Sequence, residues 1–246
     1  MLNPKNVLKK SIVAIVFSTL SFSAFSAPSY LVYPTCYTDG SEKAVISTPH
    51  YYEFDSNEGN PKDGNEKFFC GHTAVKMSLA TFGIYRGLQE IHSEFLRMED
   101  ESKKPPYYKG EYDYNTNRYN GVKCPYCAHI NLLHDYLVNQ GVNVSGVKSH
   151  WGETSYFNWV KSEIDSGRVI ISRSERLINE NGNWTNGGGH FFVIHGYRIQ
   201  NGVKYLYLRD PYQENGGMHT DWGDFSLSVL WNKMNNGKIS SLSVGD

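Results

Sequence analysis

The 246-residue chain carries 24 basic and 25 acidic side chains, for a formal net charge of −1. Without a basic surplus it lacks the field that attracts nucleic acid, and no basic amphipathic helix points to a membrane surface. Hydrophobic residues make up 39% of the chain, enough for one domain with a sizeable core.

The N-terminus reads as an export signal. Lys5, Lys9 and Lys10 form a basic start, Ile12 to Phe22 is apolar, and Ala24-Phe25-Ser26 offers small residues before a cut. The apolar run is shorter than the roughly 20 residues that span a bilayer. We therefore expect a signal peptide over residues 1–26, a single domain over 27–246, and a secreted or periplasmic location without stable membrane insertion.

Residues 27–64 are strand and loop in character, with Tyr30 to Tyr33 and Ala44 to Ser47 as strands before a polar run from Asp55 to Lys67. A helix is predicted from Cys70 to about Tyr85, because Ala74, Met77, Ala80, Thr81 and Ile84 repeat at helical spacing and give one buried face. A second helix is predicted from Leu88 to Met98. The interval 99–123, broken by Pro105, Pro106 and Gly110, reads as a flap, and a third helix is predicted from Pro125 to Asn139. A short helix from Tyr156 to Ser166 then precedes strands at Val169–Ser172, Phe191–Tyr197 and Lys204–Arg209. Gly/Asn turns separate these strands, so the class is α+β, with N-terminal helices packed on an antiparallel sheet.

Three residues carry candidate chemistry. Cys70 opens an apolar helix, where unpaired N–H groups and the dipole favour a thiolate. His190 follows three glycines and opens an apolar strand, a position from which an imidazole can serve as base and then as acid. Asp210 closes the strand that a hairpin would lay beside it, where a carboxylate can fix the imidazole tautomer. On a regular strand, His195 would face away from His190 and reads as a structural histidine. His72, on the first turn after Cys70, reads as a solvated helix residue.

Four cysteines occur. In an oxidising compartment they can all pair, with Cys70 bonded to Cys36, which would remove the nucleophile. Cys124 and Cys127 before a helix are like a glutaredoxin site, but the polar stretch from Tyr112 to Lys123 is a poor preceding strand. With His129 and His134 they also offer zinc-type ligands, although both histidines would share one helix at short offsets. We read Cys124 and Cys127 as a structural disulfide bracing the flap, and expect neither metal nor cofactor.

Cys70-Gly71-His72-Thr73-Ala74-Val75-Lys76-Met77 resembles the Cys-Gly-Pro-Thr/Ala-Ser-x-x-Met opening of papain-fold cysteine peptidases of the bacteriocin-leader-processing type. Gly188 to Tyr197 resembles that group's Gly-Gly-His strand, and Leu208 to Tyr212 its Asp-Pro segment. The likeness runs over about residues 65–215. It implies a papain-like fold, a peptide or protein substrate, and a Cys70–His190–Asp210 triad acting through a thioester. The group's glutamine before the cysteine is missing: Gly64 stands there, which makes neighbouring Asn65 the oxyanion candidate beside the backbone N–H of Cys70. Thioester chemistry also serves transglutaminase-like or deamidase-like enzymes. A periplasmic thiol–disulfide protein using Cys124 and Cys127, or an inactive binding module on the same fold, are the other readings.

Overall fold

The computed structural model describes residues 31–36, 40–51, 69–101, 128–174, 177–178, 184–185, 190–211, 222–226, 231 and 239–246. In chain order these form β1 (Leu31–Cys36), β2 (Glu42–Ile46), α1 (Cys70–Thr81), α2 (Leu88–Glu101), α3 (Ile130–Asn139), β3 (Asn143–Val144), β4 (Lys148–His150) and α4 (Glu153–Asp165). There follow β5 (Val169–Ser174), β6 (Leu177–Ile178), β7 (Trp184–Thr185), β8 (His190–Gln200), β9 (Val203–Arg209), β10 (Trp222–Ser226) and β11 (Ile239–Gly245).

The main sheet is built around β8. Along one edge β8 pairs first with β5, over residues 190–194, and then with β2, over residues 196–199. Its other edge carries β9, and β9 carries β10. Beyond β5 lies β11, which pairs with β3 and β4 at its two ends. Each of these pairings is antiparallel, as the alternation of strands and Asn-Gly turns predicts. The β8–β9 hairpin turns through Asn201 and Gly202, at φ of 51° and 74°. Two successive positive φ values match the twist of the flanking strands, and Asn-Gly reaches them at little steric cost.

Gly196 is required by contact. A Cβ there would stand 2.6 Å from the Ala44 carbonyl oxygen and 3.0 Å from the Val45 Cα. Both are backbone atoms of β2 and cannot withdraw without opening the ladder. Gly196→Ala should therefore cost about 2–3 kcal/mol, measured by urea denaturation. Gly146→Ala, which meets nothing within 4 Å, is the comparison. Equal stabilities for the two variants would remove close approach as the reason for the glycine.

Helix α1 departs from the one-sided amphipathic helix expected. All twelve of its residues are buried, because β8 and β5 cover one side while α2 and α3 cover the other. Two of its three hydroxyls are satisfied within the helix: Ser78 Oγ donates to the Ala74 carbonyl at 2.9 Å, and Thr81 Oγ1 to the Met77 carbonyl at 2.8 Å, whereas Thr73 Oγ1 is buried without a hydrogen-bond partner. The helix stops at Thr81, short of Tyr85, because the backbone leaves through Gly83 at φ 78°. Gly71 lets the segment before α3 close on the helix start, since a Cβ there would lie 2.5 Å from the Ala128 Cβ.

Helix α4 lies on β2, β5 and β8, burying Tyr156, Phe157, Val160 and Ile164. Its other tie is polar. The Tyr197 hydroxyl lies 2.7 Å from Asp165 and 2.8 Å from Glu42, and accepts from Lys161 Nζ at 2.7 Å. Lys161 also pairs with Glu42 and, at 2.6 Å, with Asp165. One cation and one phenol thus join α4 to β2 and β8.

Candidate active site

The start of α1 and the start of β8 meet at one end of the sheet. Cys70 is the first residue of α1 and is 9% exposed. It is a free thiol, not a partner of Cys36 in a disulfide. Phe69 precedes it without a capping side chain, no acidic residue lies in the first turn, and the first intrahelical bond is Thr73 N–H to the Phe69 carbonyl, at 2.8 Å. The N–H groups of Cys70, Gly71 and His72 therefore precede the hydrogen-bonded ladder and leave a positive helix end at the thiol.

His190 is buried, and its Nε2–H donates to Asp210 Oδ1 at 2.6 Å. That leaves Nδ1 for the Cys70 thiol, with which the ring is hydrogen-bonded. Burial alone would push the imidazole toward the neutral form. The Asp210 carboxylate, with a further contribution from Cys70, outweighs it and holds His190 well above its ordinary value. The stable state near neutrality is an imidazolium between a carboxylate and a sulfur.

Three further contacts fix the chain beside this dyad, and no sequence motif marks them. After β2 the backbone runs past β9, held by Arg209 Nε donating to the Thr48 carbonyl at 3.1 Å and by His195 Nδ1 donating to the Ile46 carbonyl at 2.9 Å. His50 Nε2 then donates to the backbone carbonyl of Asp210 at 2.9 Å. Because that acceptor is a carbonyl, the Nε2 proton is required, and burial lowers the His50 pKa in favour of this neutral form. His50 sits in a loop before a polar run, so periodicity could not single it out.

His195 has the structural role expected. The strand is not regular there: the β8–β9 register shifts between Ile194 and Gly196, so His195 occupies a bulge and reaches the Ile46 carbonyl. His72 is a correction. It is 1% exposed, not solvated, and stacks between Phe69 and Phe95, each with its ring centroid 4.6 Å away. Its Nε2 lies 3.3 Å from His92 Nδ1, while its own Nδ1 is buried without a hydrogen-bond partner.

Asn65, Cys124, Cys127, the three glycines before His190 and the export segment lie outside the described residues. Helix α3 begins at Ile130, not Pro125, and His129 caps it by accepting from Asn131 N–H at 3.3 Å. His134 Nδ1 bonds Asp135 at 2.8 Å. Each of the two histidines offered as zinc ligands therefore has a local partner.

A family model described as the Peptidase C39-like family matches residues 44–239. The chain belongs to that family. The matched range contains the Cys, Gly-Gly-His and Asp-Pro segments, and it also takes in β2, which lies outside the stretch where the motif likeness is visible. Among solved structures, UfSP from C. elegans matches with a TM-score of 0.51 at 10% identity, over 91% of this chain and 40% of that one. The chain spans about two fifths of that protein's length, and the likeness is one of fold. The architecture is the papain-like α+β fold of cysteine peptidases. No curated protein matches the sequence.

Proposed function

We propose that this Peptidase C39-like protein is an exported cysteine peptidase that hydrolyses peptide bonds through Cys70, His190 and Asp210. The observation that carries the reading is the buried 2.6 Å His190–Asp210 hydrogen bond set against a free thiol at a helix start. The Cys70 sulfur attacks the scissile carbonyl, and the backbone N–H of Cys70 supports the oxyanion, with Asn65 as the side-chain candidate. His190 Nδ1–H protonates the departing amine, leaving a thioester on Cys70. The imidazole, now neutral, takes a proton from water, whose oxygen attacks the thioester; the acid product leaves and the thiolate–imidazolium pair is restored. Asp210 keeps the ring oriented throughout. Cleavage after Ser26 would deliver the domain to the periplasm or the medium. Among the described residues no helix is long and apolar enough to cross a membrane.

Intact-mass profiling of candidate peptides with wild type and Cys70→Ala tests the activity. Hydrolysis adds the mass of one water, and only with wild type. Acyl transfer yields amine adducts instead, and an unchanged peptide pool in both samples would sink the peptidase reading. The redox alternative predicts instead that thiol labelling after mild reduction is confined to Cys124, with Cys70 unreactive.

His50 acts in this scheme as a positioning residue, through the carbonyl of Asp210. His50→Phe should lower kcat about tenfold with little change in KM, a loss on the order of 1.4 kcal/mol in the transition state. His50→Gln, which keeps an N–H donor, should recover most of it. Equal losses in the two variants would show that packing, not the hydrogen bond, is what matters.

A further inference from the structure

Helix α1 is covered on all sides, yet its middle carries a lysine. Lys76 is 5% exposed, and its ammonium lies 4.2 Å from the centroid of the Tyr51 ring. Lys76 and Ala80, one turn further on, form the floor of a cleft of about 310 Å³, with Tyr51, Tyr85, Arg86 and Gly87 as its walls. That volume is at the small end for ligand sites and suits one or two amino-acid side chains.

Among the described residues that line it, two are cations, two are tyrosines and none is acidic, and the Glu90 carboxylate paired with Arg86 stands beside it. Arg86 uses Nε on Gln140 and Nη1 on Glu90, each at 3.0 Å, which leaves Nη2 uncommitted among the described residues. Tyr85 is 73% exposed, so its ring stands as a wall open to solvent. At Gly87 an added Cβ would meet no atom within 4 Å, so a backbone can pass close. Cations with a fork of N–H donors recognise carboxylates, and aromatic walls beside them favour an apolar stem and a peptide plane.

We propose that this cleft is a subsite for an acidic side chain, glutamate or aspartate, of the peptide substrate. The proposal rests on the peptidase reading above and adds the substrate class. Its placement follows from the fold. At about 1.5 Å per helical residue, Lys76 and Ala80 lie about 9 and 15 Å along α1 from Cys70. An extended peptide covers about 3.3 Å per residue, so the acidic residue falls about three to five positions from the scissile bond. Tyr51, the wall packed on Lys76, directly follows His50, whose ring holds the Asp210 carbonyl. One wall of the cleft is thus continuous with the segment that pins the catalytic carboxylate.

A free dicarboxylate presents the same oxygens, and the experiment separates the two sources. Binding is read by fluorescence anisotropy on the full mature chain carrying Cys70→Ala, which permits no turnover. The probes are a dye-labelled Ala/Ser decapeptide with two adjacent central glutamates and its diglutamine counterpart. The glutamate peptide should bind about tenfold more tightly than the glutamine one. That preference should fall below twofold on adding Arg86→Gln or Lys76→Met, thermal melts identifying any variant that has lost its fold. Since Arg86 is at the surface, its variant keeps the test valid if the Lys76 variant unfolds. Equal affinity for the two peptides, or a preference that survives in a folded Arg86→Gln variant, overturns the subsite. Displacement by glutarate at an affinity equal to the peptide's own also overturns it, assigning the cleft to a small anion. Turnover plays no part, so a retained preference with no cleavage by wild type refutes the peptidase reading and not the cleft. Cleavage without the preference does the reverse.

Discussion

Replacing His190 by alanine should lower kcat/KM by about a thousandfold or more, and the same variant should slow iodoacetamide labelling of Cys70 at pH 6 by about a hundredfold. The two readouts report different duties of one ring. Labelling needs only a thiolate, and the imidazolium is the cation that stabilises it in a site where water is scarce. Turnover needs in addition a proton for the leaving amine, so the larger loss belongs to turnover. Burial works against the cation, but the Asp210 carboxylate at 2.6 Å holds His190 protonated above its ordinary range. The wild-type labelling rate should therefore exceed that of His190→Ala throughout pH 6 to 7, the interval in which the imidazolium is present. Asp210→Asn should fall between the two, since it keeps a hydrogen-bond partner but loses the charge. Identical pH–rate profiles for wild type and His190→Ala would show that the ring does not act on the sulfur.

What could be read from residues, and what could not, divides along physical lines. The β8–β9 hairpin is encoded locally: Asn201-Gly202 specifies its turn, and apolar residues on both sides specify the strands. Cys70 at a helix start, and Asp210 at the end of a strand adjacent to β8, follow from the same local signals. Features that depend on distant partners are hidden. β11, the sequence Ile239 to Gly245, carries three serines and reads as polar, yet Ser241 and Ser243 are fully buried. Ser241 Oγ is 2.7 Å from Ser172 Oγ, which is in turn 2.9 Å from the Tyr156 hydroxyl, and Ser243 donates to Glu163 at 2.7 Å. A polar side chain with a partner in the core is indistinguishable, in sequence, from one facing water. His72 is the same case inside a helix, and His50 the same case inside a loop.

Acid should destabilise this protein well above the usual carboxylate range: we expect His195 alone to withdraw on the order of 3 kcal/mol between pH 7 and pH 4.5, with His72 adding to it. The cause is a set of imidazoles buried neutral. Burial, with His92 nearby, holds His72 well below 6.5, and burial brings His195 down to about 4 against the opposing hydrogen bond to Ile46. For such a base the unfolded chain binds the proton first. Its stabilisation is therefore complete above about pH 6.5 and is lost as the pH falls from there toward the folded value. A histidine displaced from 6.5 to about 4, as His195 is, forfeits on the order of 3 kcal/mol over that window. His190 does not compensate, because its raised pKa contributes below 6.5 in full and is lost only on the alkaline side. Urea denaturation at pH 7.0, 5.5 and 4.5, followed by tryptophan fluorescence, measures the slope. His72→Phe isolates one member: a phenyl ring fits between Phe69 and Phe95 and removes the orphan Nδ1, so stability at pH 7 should change by less than about 1.5 kcal/mol. Below pH 6 the variant should be the more stable of the two. Parallel stability–pH curves for wild type and His72→Phe would show that His72 takes no part in acid unfolding.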